Sequence, residues 1–322
     1  MRISIDLHSN WLFSKTCEAA PAAMPCGEGW ERVTIPHTWN AIDGHDGSQY
    51  ERGAYWYVTT FEAPQQPLPG GQTYIEVGAA GLVGEIWVNG QFITRHVGGY
   101  SAFRANVTEA LVEGENVLAI LCDNRYSDKV YPQGADFTFY GGLYRHVRLI
   151  SAAESRFTLD HFGSSGVYID SDPVDGGAKV RVRALLDGVK ERQTVGVQIM
   201  DAEGKLVSEG WAFAAAETVI DAFIPNAKLW NGPEQPYQYT AKLQLVSYNE
   251  VLDELSIDFG VRSFSIDKET GFILNGASHP LRGVCRHQDR LYVGNALSRE
   301  QHFEDAQIIA DMGANTIRLA HY

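Results

Sequence analysis

The sequence predicts a mostly β protein. The order is a jelly-roll β-sandwich, then an immunoglobulin-like β-sandwich, then the first βαβ unit of a (β/α)8 barrel that is cut short. Three observations predict it. Residues 1 to about 150 hold short runs rich in aromatic and β-branched residues, each closed by a turn signal. Residues from about 155 to 265 repeat that pattern with cleaner two-residue alternation. After about 266 the pattern becomes strand, loop, helix, strand. A length of 322 residues fits two or three domains at roughly 100–200 residues each. The expected boundaries are 1–152, 153–265 and 266–322.

In the first region Ala54-Tyr55-Trp56-Tyr57-Val58-Thr59-Thr60-Phe61 reads as a strand, stopped at Pro64 and turned by Pro67-Leu68-Pro69-Gly70-Gly71. Tyr74 to Val77 begins the next strand. Glu85-Ile86-Trp87-Val88 and Gln91-Phe92-Ile93-Thr94 flank Asn89-Gly90. That dipeptide tolerates positive φ at both positions, so it marks a tight hairpin. Gly114-Glu115-Asn116 turns into Val117 to Leu121, and Val147 to Ile150 closes the region. Many short strands with frequent turns fit a sandwich of jelly-roll type.

In the second region Lys179 to Arg183 and Thr194 to Ile199 alternate with period two. Asp201-Ala202-Glu203-Gly204-Lys205 reverses the chain, and Tyr239 to Leu245 alternates again. About 110 residues of such strands fit an immunoglobulin-like sandwich.

In the third region Gly271 to Gly276 is a hairpin and Leu281 to Val284 a short strand. Ser298-Arg299-Glu300-Gln301 has the form of a capping box. Phe303, Ala306, Ile309 and Ala310 recur on one helix face, Gly313 is a C-terminal stop, and Asn315 to Leu319 follows as a strand. One βαβ unit cannot bury both faces of its strands. The last ~55 residues are therefore expected to be an incomplete domain, the start of a barrel cut after its second strand.

Composition narrows the function. The net charge of −14 would repel a phosphate backbone and an anionic membrane surface, so neither nucleic acid nor membrane is expected as a partner. Ordinary hydrophobic and charged fractions argue against disorder. No apolar run approaches the ~20 residues that span a bilayer. The start Met1-Arg2-Ile3-Ser4-Ile5-Asp6 has no apolar leader region, which gives a cytoplasmic expectation. Cys17, Cys26, Cys122 and Cys285 are scattered, with no zinc-like or disulfide-scaffold spacing, and are expected to be thiols. The 7 Trp, 15 Tyr and 14 Phe suit stacking on sugar faces, although a β-rich core uses aromatics too.

Barrel active sites sit at the C-terminal ends of the strands. Arg286, His287 and Asp289 follow the first barrel strand, and Arg318 and His321 end the second. Neighbouring strands would turn both groups to one opening. An Arg there can hold a carboxylate bidentately, and a His can hydrogen-bond a hydroxyl. The bland account is a set of rim ion pairs, such as Arg286 with Asp289. Cys285 lies two residues before His287, so a Cys–His dyad is conceivable, but a buried strand thiol explains it better. There is no P-loop or dinucleotide fingerprint, and Gly141-Gly142 has no following helix to cradle a phosphate.

At these residues the chain resembles glycoside hydrolase family 2, and within it the β-galactosidases. Ile35-Pro36-His37-Thr38-Trp39-Asn40 and Gly53-Ala54-Tyr55-Trp56-Tyr57 are similar to the opening of the family's sugar-binding jelly roll. Glu85 to Gly90, Gly98 to Phe103 and Gly114 to Leu118 continue it, and Asp136 to Arg145 resembles its Asp…Gly-Ile-x-Arg stretch. Leu229 to Tyr237 is similar to the second domain's Leu-Trp…Pro-Tyr element. Arg282 to Asp289 and Asn315 to Tyr322 resemble two barrel motifs.

The resemblance implies roles at matching positions. Arg318 would steady the nucleophilic carboxylate. His287 and His321 would bind sugar hydroxyls, Asp289 belongs to the same substrate-binding group, and Asp136 would reach the sugar from the first domain. Retention needs two carboxylates flanking the glycosidic bond. In the family both Glu residues lie on later barrel strands, so no catalytic residue is assigned within 1–322 and the piece alone is expected to be inactive. The expected function is the N-terminal part of a β-galactosidase. β-Glucuronidase is the nearest rival, and a non-catalytic carbohydrate-binding module pair is the rival of another class. A carbohydrate is the implied partner. No cofactor is assigned, and metal dependence and homo-oligomerisation are left open.

Overall fold

The structure, a computed structural model, describes residues 2–25, 27–45, 47, 49–63, 70–130 and 134–319. It is mostly β. The first sandwich packs a four-stranded sheet on a six-stranded one. The smaller sheet orders Ile3–Asp6, Val147–Ala152, Gln72–Val77 and Phe103–Asn106. The larger orders Glu31–Val33, Trp11–Ser14, Ala54–Glu62, Glu115–Asp123, Val83–Val88 and Gln91–Val97. Both sheets turn alternate apolar residues inward, and Trp11, Tyr57, Ile75, Ile86, Leu118 and Leu149 meet in one core. The Asn89-Gly90 hairpin forms with φ of 52° and 78°. The turn expected at Pro67–Gly71 lies largely outside the described residues, as do Pro64, Cys26 and His321. The described cysteines Cys17, Cys122 and Cys285 are free thiols; Cys122 is buried, but Cys285, expected as a buried strand thiol, is exposed, because its two-stranded parallel sheet has no further described layer over that face.

The second sandwich is immunoglobulin-like. One sheet joins Arg156–Phe157, Gly177–Asp187, Val167–Val174 and Glu217–Pro225. The other orders Leu206–Phe213, Gln193–Met200, Tyr239–Ser247 and Glu250–Phe259. Phe157, Val182, Val197, Ile199 and Leu243 form its separate core. Two arginines tie the sandwiches together. The Arg2 guanidinium donates to the Phe157 carbonyl at 3.0 Å and to the buried Asp253 carboxylate at 2.8 Å. Arg104 donates to the carbonyls of Leu159 and Ser164 at 3.0 and 2.6 Å.

The third region opens with a hairpin, Phe264–Asp267, Gly271–Leu274 and Ala277–Ser278. Gly283–Arg286 then pairs in parallel with Thr316–Leu319, joined by helix α1, Arg299–Asp311. The capping box is present: the Ser298 hydroxyl accepts from the Gln301 N–H while the Gln301 side chain accepts from the Ser298 N–H. Gly313 ends the helix region at φ 88°. The first strand starts two residues later than the expected Leu281. The Asn315 side chain takes the Arg282 N–H at 2.8 Å, and the ladder begins after that clamp.

Helix α1 also differs from the expected packing. Its partly covered positions include His302, Asp305 and Ile309, and among these His302 and Asp305 reach Arg286 on the first barrel strand. Phe303 is exposed instead of packing on the strands. No residue of the helix is buried, and Ile308, Met312 and Leu319 are exposed with it. No helix among the described residues is long and apolar enough to cross a membrane.

Candidate functional site

The site starts from the segment Phe137–Gly142 of the first sandwich. Gly142 has φ 112°, and a Cβ there would run into the His37 carbonyl; one on Gly141 would enter the Trp39 ring. Two buried asparagines bolt the segment down. Asn40 accepts from the Gly141 N–H at 2.9 Å and donates to the Phe139 carbonyl at 3.3 Å. Asn124 donates to the same carbonyl at 2.9 Å. Held this way, the segment presents Phe137 and Tyr140 to the first barrel loop. The Tyr140 hydroxyl donates to Asp289 at 3.3 Å, and the Phe137 ring lies 5.5 Å from the His287 ring.

The barrel strands sort their polar residues by face. Cys285 is registered with Arg318, and Arg286 with Leu319. Side chains alternate along a strand, so Cys285 and Arg318 share one face and Arg286 takes the other. An Arg318 guanidinium nitrogen lies 3.7 Å from the Cys285 sulfur. On the opposite face Arg286 and Arg290 both grip Asp305. Burial alone would raise the Asp305 carboxyl, but hydrogen bonds from Arg290 and Arg286 hold it below its ordinary value. His302, also on Arg286, is lowered by burial first and by the Arg286 charge second. Arg286 is therefore a strand-to-helix tie. The rim pair Arg286–Asp289 does not form; Asp305 replaces Asp289 as the partner.

The joint between sandwich and barrel is a narrow cleft lined by Gly99, Phe137, Tyr140, His287, Asp289 and Asn295 among others. It holds about 20 Å³, room for about one water. The buried Asn295 side-chain oxygen has no hydrogen-bond partner among the described residues and would accept from such a water. A hexose does not fit in the joint itself. What the joint does is fix His287 and Asp289 against the first sandwich; the cavity beside it is lined by Arg286 and Leu319, the strand face opposite Arg318.

The sequence-derived candidates therefore fall into groups. His287 and Asp289 come together with Phe137 and Tyr140. Arg318 sits with Cys285. Asp136, next in chain to Phe137, is exposed, does not line the cleft, and makes no hydrogen bond or ion pair among the described residues. His321 lies outside the described residues. Among the described residues no group of three or more His, Cys, Asp or Glu side chains is placed to hold a metal. The residues sequence reasoning missed are supports: Asn40, Asn124, Asn295, Phe137 and Tyr140. Asn40 and Phe137 stood inside recognisable motifs, but nothing in their spacing tells a buried strut from a turn residue.

The chain sets a β-sandwich against the C-terminal end of the first strand of a barrel-type βαβ unit, and comparison with known proteins gives that architecture a family. Residues 5–153 match the sugar binding domain of glycosyl hydrolases family 2, residues 165–262 match the model named for glycosyl hydrolases family 2 itself, and residues 265–322 match the family's TIM barrel domain. The chain belongs to glycosyl hydrolases family 2. It is 33% identical over 335 residues to a β-glucuronidase of Bacteroides fragilis, covering 100% of this chain and 46% of that protein. It is 28% identical over 304 residues to a β-galactosidase of Thermoanaerobacter pseudethanolicus, covering 91% of this chain and 40% of that one. The crystal structure of an FMN-binding β-glucuronidase from Facaelibacterium prausnitzii L2-6 is similar with a TM-score of 0.92 and 43% identity, over 100% of this chain and 49% of its own. The chain thus spans less than half the length of these relatives.

Proposed function

We propose that the whole protein is a retaining exo-β-glycosidase and that its substrates are terminal β-glucuronides. One observation carries the choice of sugar. Most of the relatives that match the entire chain at 30% identity or more are named β-glucuronidase, at 31% to 43%, beside a putative β-galactosidase at 32%. The β-galactoside reading, favoured by the sequence motifs, stands second and is supported by that last relative.

In this reading residues 1–322 supply binding and orientation. Arg318 offers a guanidinium on the Cys285 face, where it can hold a carboxylate in place by charge-assisted hydrogen bonds. His287 and Asp289, fixed by Phe137 and Tyr140, offer a hydroxyl one donor–acceptor ring and one carboxylate acceptor. Asp136 and His321 complete the sugar contacts. The acid/base and nucleophilic carboxylates come from later barrel strands. The acid protonates the leaving oxygen while the nucleophile takes the anomeric carbon; water then enters with the same residue acting as base.

The test is the ratio of kcat/KM of the whole protein on p-nitrophenyl β-D-glucuronide and on the β-D-galactoside. A glucuronide preference of about tenfold or more is expected. The opposite preference would move the protein to the galactosidase reading. No turnover of either would defeat both.

A further inference from the structure

We propose that the exposed sheet face of the second sandwich is a binding platform for a neutral pyranose polymer, centred on Trp211 and Gly196. The proposal starts from a glycine with no structural reason to be one. Gly196 sits in the middle of the strand Gln193–Met200, which is paired on both sides. Glycine there weakens a strand. Its φ lies outside the left-handed region, and an added Cβ would meet nothing within 4 Å. Gly210, one strand away, makes the contrast: a Cβ there would strike Ile220 at 2.8 Å, so packing explains it. A strand glycine marks a bulge, a bend or a place where something approaches from outside, and the irregularity in this strand's pairing lies at Ile199/Met200, away from Gly196.

The register shows what the glycine opens. Trp211 lies directly across Gly196 on one side and Gln244 on the other. The three form a trough with an aromatic wall, a bare floor and a polar wall, about 10 Å from outer strand to outer strand. Trp211 is 66% exposed and Phe213 71%, and their rings meet edge to face at 5.6 Å. On the polar wall the Gln244 amide donates to Glu254 at 2.6 Å, which fixes its carbonyl and the Glu254 carboxylate as hydrogen-bonding groups. An indole face stacks on the C–H face of a pyranose, and the amide and carboxylate take its hydroxyls. The Glu254 carboxylate disfavours a uronate at the Gln244 wall, while the exposed Lys242 two residues along the face offsets its charge and so disfavours a cationic ligand. A second copy of the chain is a poor occupant. The two aromatic rings stand among the charged and polar side chains of Glu209, Lys242, Gln244 and Glu254, unlike the charge-depleted core of a stable protein interface.

The experiment is native gel electrophoresis of the full-length protein through gels containing barley β-glucan, galactan or xylan. Retardation is expected in at least one. Trp211→Ala should weaken it by about tenfold or more. Gly196→Val should do the same by filling the trough, and it should not unfold the domain, because its Cβ enters open space in a strand that favours β-branched residues. Turnover of p-nitrophenyl glycosides should be unchanged in both variants, and gel retardation reads out even from a protein with no such turnover. No retardation of the wild type in any of the three gels overturns the proposal. So does equal retardation of wild type and both variants, or a concentration-dependent dimer lost in Trp211→Ala, which would make the face an interface between copies.

Discussion

Replacing Glu76 by glutamine should destabilise the first sandwich by about 3 kcal/mol at neutral pH, and the deficit should shrink in acid. Glu76 lies on Gln72–Val77 and is almost fully buried. Arg104 donates to it at 2.7 Å, His146 lies at 3.0 Å, and an Arg148 nitrogen at 3.7 Å. Burial pushes the carboxyl up. The hydrogen bond to His146 and the charge and hydrogen bond of Arg104 outweigh it and hold the group at about 2, against an ordinary 4.5. A folded-state value below the unfolded one means the stabilisation is full above about 4.5 and is lost as pH falls towards about 2. At 1.36 kcal/mol per unit the difference is about 3 kcal/mol at pH 7 and about half that near pH 3. The neutral amide also leaves the Arg104 charge buried without its carboxylate. Arg104 orients the link to the second sandwich through Leu159 and Ser164, so the damage should reach that joint. Hydrogen exchange reads this locally. Amides of Gln72–Val77 and Phe103–Asn106 in the variant should exchange roughly a hundredfold faster than wild type at pH 7 and roughly tenfold faster near pH 3. Equal exchange at pH 7, or a gap that does not narrow in acid, would refute the reasoning.

Two further outcomes are expected. On the glycosidase reading proposed above, Asp136→Ala in the whole protein should lower kcat/KM about 10- to 150-fold, the loss of one charged hydrogen bond in the transition state of roughly 1.5–3 kcal/mol. Asp136 is exposed and makes no hydrogen bond or ion pair among the described residues, so the melting temperature should not move; a lower melting temperature with intact kinetics would make it a structural residue. Gly141→Ala should cost about 1–3 kcal/mol in urea unfolding, because its Cβ enters the Trp39 ring, and it should raise KM by shifting Tyr140 away from Asp289; wild-type stability and KM together would contradict that placement.

The fold was legible wherever one residue type has one physical use. Asn89-Gly90 needs positive φ twice, and a hairpin follows. Ser298 and Gln301 cap reciprocally, and a helix starts. Val195, Val197 and Ile199 alternate, and they point into one core. The misses have the opposite cause. Ile3–Asp6 is a wholly exposed four-residue strand that pairs with Val147–Ala152 and carries an Arg148–Asp6 ion pair; its Ile-Ser-Ile-Asp alternation spans only two periods and buries neither face. Leu206–Phe213 exposes Trp211 and Phe213 on its outer face, which erases the inside–outside contrast on which alternation depends.

The site was legible in identity more than in geometry. Arg286 and Arg318 look alike in sequence, each near the end of a barrel strand. Only the register separates them, by setting Cys285 against Arg318 and turning Arg286 to Asp305 on the helix. A strand residue's chemistry depends on its face, and the face flips with a single residue of register. The two barrel strands begin at Gly283 and Thr316, and that start is set by Asn315 clamping Arg282. The Asn315 clamp therefore sets which arginine shares the Cys285 face and which braces the helix. The same logic explains the first sandwich's contribution. Phe137 and Tyr140 reach His287 and Asp289 because Asn40 and Asn124 satisfy the backbone of a segment with no strand of its own. Buried amides thus do at this joint what a ladder does within a sheet, and they let one domain set the side chains of another.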